Sequence, residues 1–261
     1  MLEAPCYIVS DMHLGVRSRE LEHRLVIFLR QLHGRAGSLL INGDLFDFWF
    51  EWRTVMPRGH FRTLAALADL RDAGIEILMV AGNHDCWGDD LLTEDVGISY
   101  ERGPWDGRLA GWESHVEHGD GLRPREDRGY RMLRSVLRHP ASIWAFRALP
   151  PDWGSRLANR SSRVSRVHRA HDKGAALEQL GARWLDAHPT TELVVYGHSH
   201  VATLRRMSRT GVYANAGSWL DSPTYLVVRT DSIELRRWNG SAEGELLHAL
   251  DRRAEESLAD A

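Results

Sequence analysis

The segment Leu39-Leu40-Ile41-Asn42-Gly43-Asp44 decides the fold, because an apolar run ends there at a glycine that is followed by a carboxylate. A short apolar run of this kind is typical of a strand that is buried on both faces of a sheet. Open α/β sheets keep their functional sites beyond the carboxyl ends of their strands. We therefore predict that Asp44 lies in a functional site at a strand end.

Three other apolar runs end in a similar way. They are Tyr7-Ile8-Val9-Ser10 before Asp11-Met12-His13, Ile77-Leu78-Met79-Val80 before Gly82-Asn83-His84-Asp85, and Leu193-Val194-Val195-Tyr196 before Gly197-His198-Ser199-His200. His118 adds a further imidazole. Together these motifs supply enough carboxylate, amide and imidazole groups for two divalent cations with one carboxylate shared between them. We predict that Asp44 is the shared ligand.

Helical patterns connect the first three strands. Apolar residues recur at helical spacing from Leu21 to Leu32 and again between Arg58 and Ala73. This order of elements predicts a parallel or mixed sheet with right-handed crossovers. Extended segments are expected between Gly97 and Glu117, and short antiparallel strands at 202–207, 212–215, 224–228 and 233–238. From Ser241 onward we expect a frayed helix or a disordered tail.

Composition limits the classes of protein to which the chain can belong. Its 261 residues are 43% hydrophobic and 26% charged, which suits one large α/β core. A net charge of -3 gives no general support for a nucleic-acid partner. Cys6 and Cys86 are expected to be buried free thiols, in keeping with a reducing cytoplasm. The sequence contains neither an export signal nor the ~18 apolar residues of a membrane-spanning helix.

We expect a single domain with an inserted helical cap. The boundaries are a core at 1–122 and 188–240, the cap at 123–187 and the tail at 241–261. Pro150-Pro151 is predicted to break the cap into two arms. Five arginines then recur along one helical face: Arg156, Arg160, Arg163, Arg166 and Arg169. That face is either solvated or bound to an anion such as a phosphate or a lipid headgroup.

Aromatic residues crowd the segment that follows Asp44. They are Phe46, Phe48, Trp49, Phe50 and Trp52. Aromatic side chains at this density belong either to the core or to the wall of a pocket for an apolar ligand.

The ordered series Asp-x-His, Gly-Asp, Gly-Asn-His-Asp, a single His and Gly-His-x-His resembles the calcineurin-like metallophosphoesterase superfamily. The resemblance implies a four-layer αββα sandwich and two metal ions. It places Asp11, His13, Asp44 and His200 on one ion, and Asp44, Asn83, His118 and His198 on the other. It also implies that His84 is the general acid for the leaving group, with Asp85 placed to orient it. Manganese is the expected metal, and iron and zinc are alternatives.

Further motifs resemble the UDP-2,3-diacylglucosamine diphosphatase branch. These motifs are Phe46-Asp47-Phe48-Trp49-Phe50-Glu51, His118-Gly119-Asp120-Gly121, a helix at Tyr130 before an arginine-rich cap, and Asn215-Ala216-Gly217-Ser218-Trp219. Enzymes of that branch cleave the pyrophosphate of their substrate to a lipid monophosphate and UMP in lipid A synthesis. Many of them carry arginine where this chain has His84, so the departure bears on the substrate more than on the chemistry.

The resemblance to this branch implies a set of substrate contacts and a location. The expected contacts are Asn83, His84, Asp127, Tyr130, Ser162, Arg163, Arg166 and His198. Apolar cap residues would either line a cleft for acyl chains or simply pack between helices. The expected location is the cytoplasm, peripheral on the anionic inner face of the cell membrane. Alternatives are a phosphodiesterase or phosphatase acting on a soluble nucleotide or a phosphoprotein, and a non-catalytic binding scaffold.

Overall fold

The computed structural model describes residues 1–16, 19–123, 127–154 and 174–252. Over these residues the chain forms two β-sheets that pack face to face, with helices on the outer face of each sheet. This arrangement confirms the expected αββα sandwich. The five arginines predicted to share a helical face, and Ser162, lie outside the described residues.

The first sheet contains seven strands. Their bounds are β1 (Cys6–Val9), β2 (Ser38–Asn42), β3 (Glu76–Val80), β4 (Ser99–Glu101), β10 (Thr224–Val228), β11 (Ser232–Arg237) and β12 (Glu245–Asp251). The order is β12-β11-β10-β1-β2-β3-β4, and β1 to β4 run parallel as the crossovers predict. Helix α1 (Arg19–Gln31) makes the crossover from β1 to β2, and α2 (Phe61–Asp72) makes the one from β2 to β3.

The second sheet contains five strands in the order β5-β6-β7-β9-β8. Their bounds are β5 (Trp105–Leu109), β6 (Trp112–Glu117), β7 (Leu193–Tyr196), β8 (Thr203–Arg206) and β9 (Val212–Asn215). Strands β6, β7 and β9 are parallel, whereas β5 and β8 are antiparallel to their neighbours. Strand β9 was predicted to be antiparallel, and it is antiparallel to β8 but parallel to its other neighbour, β7.

Apolar side chains fill the spaces between the layers. Ile8 and Leu40 of the first sheet meet Val195 and Val212 of the second in one buried cluster. On the outer face of the first sheet, α1 and α2 bury residues such as Phe28. A third helix, Ala175–Ala187, covers the outer face of the second sheet. Burial of these side chains is the main force that holds the four layers together.

Further α-helices are α3 (Arg128–Leu137), α4 (Pro140–Arg147) and the helix on the second sheet, α5 (Ala175–Ala187). Helices α3 and α4 belong to the predicted cap. The Trp87 indole Nε1–H donates to the carbonyl of Leu137 at 3.1 Å, and that of Trp52 donates to the carbonyl of Leu149 at 3.3 Å. Phe146 of α4 packs against Phe50, with ring centroids 4.7 Å apart. The cap thus rests on the aromatic segment that follows Asp44.

The aromatic residues that follow Asp44 divide between the core and the surface that faces the cap. Phe46 and Trp49 are fully buried in the core, whereas Phe48 and Trp52 are partly exposed and face the cap. Cys6 and Cys86 are both buried free thiols, as predicted. Among the described residues, no helix has the length and apolar character needed to cross a membrane.

The expectation of a frayed or disordered tail from Ser241 was wrong for residues 245–251. This segment forms β12 and pairs with β11 from Glu245 to Asp251, with one irregularity at Leu247. Its composition of Glu, Leu and Ala does not favour a strand, but Leu247 and Leu250 pack against the core between the sheets. Burial and pairing at the sheet edge therefore outweigh local propensity, and the first sheet extends beyond the expected core boundary at 240.

Candidate metal centre

Five of the predicted ligands have a left-handed backbone conformation. Their φ angles are +51° at Asp11, +45° at His13, +52° at Asp44, +60° at His198 and +61° at His200. Residues other than glycine rarely adopt this conformation, because Cβ crowds the backbone. Where it does occur, it is common at functional sites. These strained residues occur at three strand ends. Their backbone conformation therefore supports the predicted site independently of the sequence motifs.

Two glycines leave room for the predicted ligands. A Cβ atom on Gly43 would collide with the ring of His118, and one on Gly82 would collide with the carboxylate of Asp44. Because Gly43 also has a φ of +79°, a side chain there would be unfavourable for a second reason. The Gly-Asp and Gly-Asn-His-Asp motifs therefore need their glycines for close packing of the side chains in the site.

The fold brings Asp11, His13 and His200 together from strand ends in different sheets. Nε2 of His200 lies 3.2 Å from Nε2 of His13 and 3.3 Å from Oδ1 of Asp11. Asp44 borders the same cluster, since its Oδ2 lies 3.6 Å from Nε2 of His13. These are the four residues predicted to hold one ion.

A second cluster surrounds the other side of Asp44. Its Oδ2 lies 3.3 Å from Nε2 of His118, and ligand atoms of Asp44, His118 and His198 lie within 4.8 Å of one another. The buried Oδ1 of Asn83 has no hydrogen-bond partner among the described residues, as expected for an oxygen reserved for a cation. Asp44 is thus common to both clusters, the position that was predicted for a bridging ligand.

The electrostatics of these clusters suit a cation. Burial opposes ionisation of Asp11, but the hydrogen bond and charge of His200 outweigh burial and lower the pKa of Asp11 to about 2. Burial likewise disfavours the charged form of His200, yet its contacts with Asp11 and Asp221 raise its pKa to about 9. For His118, burial is outweighed by Asp44, which raises the pKa well above its usual value. The two carboxylates therefore attract positive charge to this place, and the residues fit a divalent metal.

His84 borders the same site. Its Nδ1–H donates to the carbonyl of Asp47 at 2.7 Å, because a carbonyl can only accept. Its backbone N–H donates to Oδ1 of Asp44 at 3.0 Å. Its ring lies edge-on to that of His13, with centroids 4.8 Å apart. This geometry leaves Nε2 as the ring nitrogen that can exchange a proton.

Asp85 does not have the contacts expected of a residue that orients His84. Its carboxylate accepts from the backbone N–H groups of Leu45 at 2.7 Å, Gly82 at 2.8 Å and Asp44 at 3.3 Å. Asp85 therefore joins the loops after β2 and β3. The carbonyl of Asp47 supports the imidazole of His84 instead, which corrects the expected role of Asp85.

Two of the predicted substrate contacts, Tyr130 and Asp127, form hydrogen bonds with other side chains of this protein. The Tyr130 hydroxyl donates to Oδ2 of Asp120 at 2.6 Å. The Asp127 carboxylate accepts from the backbone and guanidinium of Arg123 at 2.7–3.3 Å. These contacts attach α3 to the loop that carries His118. The other predicted cap contacts, Ser162, Arg163 and Arg166, lie outside the described residues.

Several supporting contacts were not predicted from the sequence. The carboxylate of Asp221 lies 3.1 Å from Nδ1 of His200, and the carbonyl of Asn42 lies 2.9 Å from Nδ1 of His118. The backbone N–H of His198 donates to Oδ2 of Asp11 at 3.0 Å. Such contacts fix the orientation of metal-binding imidazoles. Asn42 and Asp47 stand within sequence motifs of the site, but both act through backbone carbonyls, which a sequence motif does not specify.

Comparisons with known proteins show what this chain is similar to. The family model for calcineurin-like phosphoesterases matches residues 4–202. A UDP-2,3-diacylglucosamine hydrolase of Porphyromonas gingivalis is 29% identical over 87% of this chain and 94% of its own length. A UDP-2,3-diacylglucosamine hydrolase of Nitrosococcus oceani is 30% identical over 74% of this chain and 78% of its own length. Among solved structures, Vps29 of Chaetomium thermophilum covers 98% of both chains, with a TM-score of 0.46 and 11% identity.

Proposed function

The chain belongs to the calcineurin-like phosphoesterase family, and from this premise we propose that it hydrolyses UDP-2,3-diacylglucosamine to the lipid monophosphate and UMP. Membership makes the chain a hydrolase of the metallophosphoesterase class, as the sequence motifs predicted. The relatives carry the substrate in their names, and this chain covers 94% of the length of one of them.

The observation that carries the proposal is the pair of clusters that share Asp44. Asp11, His13, Asp44 and His200 would hold one divalent cation, and Asp44, Asn83, His118 and His198 would hold the other. We propose manganese, with iron and zinc as alternatives, because oxygen and imidazole ligands suit all three. When bound, a pair of such ions orients the phosphoryl group and offsets its negative charge.

The side chain of His84 is proposed to act on the leaving group. With Nδ1–H held by the carbonyl of Asp47, Nε2 can carry a proton to the phosphate that departs with the lipid. His84 is 7% exposed, so the proton would be transferred where little water competes. Asn83 and His198 border the same place and are proposed to contact the substrate.

The cap is proposed to receive the lipid. Asp127 and Tyr130 support this role by anchoring α3 through Arg123 and Asp120. We further propose peripheral binding to the anionic inner face of the cell membrane. The cap exposes apolar side chains between arginines, among them Met132 at 71%, Val136 at 60% and Trp153 at 68% exposure. Apolar and basic residues together favour an anionic lipid surface.

Kinetics on a series of UDP-sugars that differ only in acyl length will test the substrate. Each methylene buried by the protein contributes roughly 0.8 kcal/mol, before ordering costs are subtracted. We therefore expect kcat/KM of the manganese-loaded protein to rise steeply with chain length, and mass spectrometry to detect UMP and the lipid monophosphate. Bis-p-nitrophenyl phosphate and simple nucleotides serve as reference substrates. Equal efficiency on acylated and non-acylated UDP-sugars would favour a phosphodiesterase acting on a soluble nucleotide.

A further inference from the structure

A cavity lies between the loop after β3 and helix α4. It encloses about 380 Å³. Its lining is Arg53, Cys86, Trp87, Asp89, Arg102, Arg138, Pro140, Ile143, Trp144 and Arg147. No predicted metal ligand is in this set, but Cys86 follows Asn83 by three residues. One lining residue is therefore close in sequence to the candidate metal centre, but the side chains that line the cavity are different from those of the centre.

The charge of the lining is strongly positive, since four arginines face one carboxylate, Asp89. Arg147 pairs with Asp89 at 2.9 Å, and Arg102 lies 3.7 Å from the same carboxylate. The Nε and one terminal nitrogen of Arg138, and the Nε of Arg147, are buried without a hydrogen-bond partner among the described residues. Buried guanidinium N–H groups without acceptors are costly, so the cavity suits an anion with several oxygens, such as a phosphate.

Flat aromatic walls accompany these charges. The indole of Trp87 is held in place by its bond to the Leu137 carbonyl. Trp144 is 74% exposed, although large apolar side chains are usually buried. Indole and guanidinium groups both stack on nucleobases. An acyl chain would instead cover the guanidinium groups with hydrocarbon and leave their N–H groups without acceptors.

We propose that this cavity, which we call the arginine pocket, binds the nucleotide half of the substrate: the base stacks on tryptophan and the phosphate meets the arginines. This inference rests on the proposed function, in which one half of the substrate is UMP and the other is a diacylated sugar. It places the acyl chains elsewhere on the cap, and it makes the arginine pocket a determinant of nucleotide specificity.

Calorimetric titration of the full-length, manganese-loaded protein with UMP and with inorganic phosphate will test the proposal. Arg147→Gln removes one cation and should weaken both UMP and phosphate binding about tenfold. Trp144→Ala removes an exposed stacking surface and should weaken UMP about tenfold while phosphate binding is unchanged. Arg53→Gln repeats the charge test, in case Arg147→Gln disturbs the contact with Asp89. Arg108→Gln, which alters an exposed arginine of β5 paired with Glu113, is the matched control and should change neither ligand.

The outcomes separate this proposal from the proposed function. If UMP binds equally well to all variants, or if an acylated sugar phosphate without a nucleotide competes for the arginine pocket, the nucleotide assignment is overturned. If the variants weaken UMP binding but the protein does not cleave UDP-2,3-diacylglucosamine, the assignment of the arginine pocket as a nucleotide site is supported. In that case only the proposed lipid substrate is rejected.

Discussion

Asp44 is the residue on which both halves of the candidate metal centre converge. Its Oδ2 lies near Nε2 of His13 on one side and near Nε2 of His118 on the other. Its Oδ1 accepts the backbone N–H of His84. Burial opposes its ionisation, yet the positive charge of His118 lowers the pKa of Asp44 well below its usual value. A carboxylate that stays ionised in this position is well suited to bridge two cations.

Replacing Asp44 with alanine should therefore affect both ions. We expect the metal content, measured by mass spectrometry, to fall well below two per chain, and hydrolysis of bis-p-nitrophenyl phosphate to disappear. Manganese should raise the melting temperature of the parent protein but not of Asp44→Ala, because an ion that binds only the folded state stabilises it. Asp72→Ala, at the exposed end of α2, is the control. A variant that keeps two metals and full activity would contradict the bridging role.

For His84 the expected effect depends on the leaving group. His84→Asn should retain both metals but lose roughly 10²–10⁴-fold in kcat on substrates with poor leaving groups, the usual contribution of general acid catalysis. Activated aryl phosphates need less proton donation, so their loss should be smaller. His23→Asn on α1 should change neither rate. Equal losses on both kinds of substrate would argue against proton transfer by His84.

The side chains that cluster in the candidate metal centre could be predicted to lie together, because most of them follow an apolar strand in a recognisable motif. Their supporting residues could not, since Asp221 meets His200 only after β10 has taken its place beside β1. The role expected of Asp85 was wrong for a related reason. Adjacency in sequence suggested that it orients His84, whereas the fold presents it with backbone N–H groups from the loop after β2. Long-range contacts of this kind leave no local sequence pattern.

Among the elements, α3 connects the cap to the candidate metal centre. Tyr130 of α3 donates to Asp120, which stands two residues after His118. Arg134, one turn further along the same helix, also approaches Asp120, at 3.6 Å. A shift of α3 would therefore disturb the loop that positions a predicted ligand.

Tyr130→Phe should loosen this attachment without removing a metal ligand. Loss of a hydrogen bond to a carboxylate costs about 1–3 kcal/mol, so we expect a lower free energy of unfolding in urea titrations. We also expect KM for the lipid-linked substrate to rise, while kcat/KM for bis-p-nitrophenyl phosphate changes little. Tyr225→Phe removes a buried hydroxyl that donates to Ala242, far from the cap, and should lower stability alone. If both variants raise KM equally, the effect belongs to general stability and not to the cap.

On the scale of the whole molecule, the two sheets are joined at their edges as well as through their shared core. Arg252, just after β12 of the first sheet, pairs with Glu192 before β7 of the second at 2.6 Å. Its guanidinium also donates to the carbonyl of Gly111 at 2.9 Å and lies 5.1 Å from the ring centroid of Trp112. These contacts attach the last described strand to the opposite sheet.

Arg252→Ala should lower the free energy of unfolding by about 1–2 kcal/mol, because a paired guanidinium and its packing over an indole are lost together. Arg252→Lys should recover only part of this loss, since lysine lacks the planar group. Arg237→Ala removes the exposed pair with Glu245 and should have almost no effect. Thermal denaturation at low and high salt will distinguish the variants, and an unchanged midpoint for Arg252→Ala would show that this edge contributes nothing.

The parallel order of β1, β2 and β3 was predictable, because strands joined by crossover helices permit few topologies. The four-layer sandwich was expected only from the resemblance to the metallophosphoesterase superfamily. The strand β12 was not predictable, since its pairing depends on an edge formed by distant parts of the chain. The cap was expected from its basic, helical composition, but the contacts of α3 and α4 depend on which aromatic side chains the core presents. Local pattern therefore determines the elements, and their mutual packing determines the details of the site.

Residues near the first and the last described positions both contact the hairpin between β5 and β6. Leu2 pairs with Leu109 at this hairpin, and Arg252 donates to Gly111. Strand β6 then runs six residues, roughly 20 Å, before it reaches His118 at its other end. Leu2 and Arg252 therefore lie at the end of β6 opposite the candidate metal centre. A reporter group attached near Leu2 would stand well away from that centre and leave it open to solution.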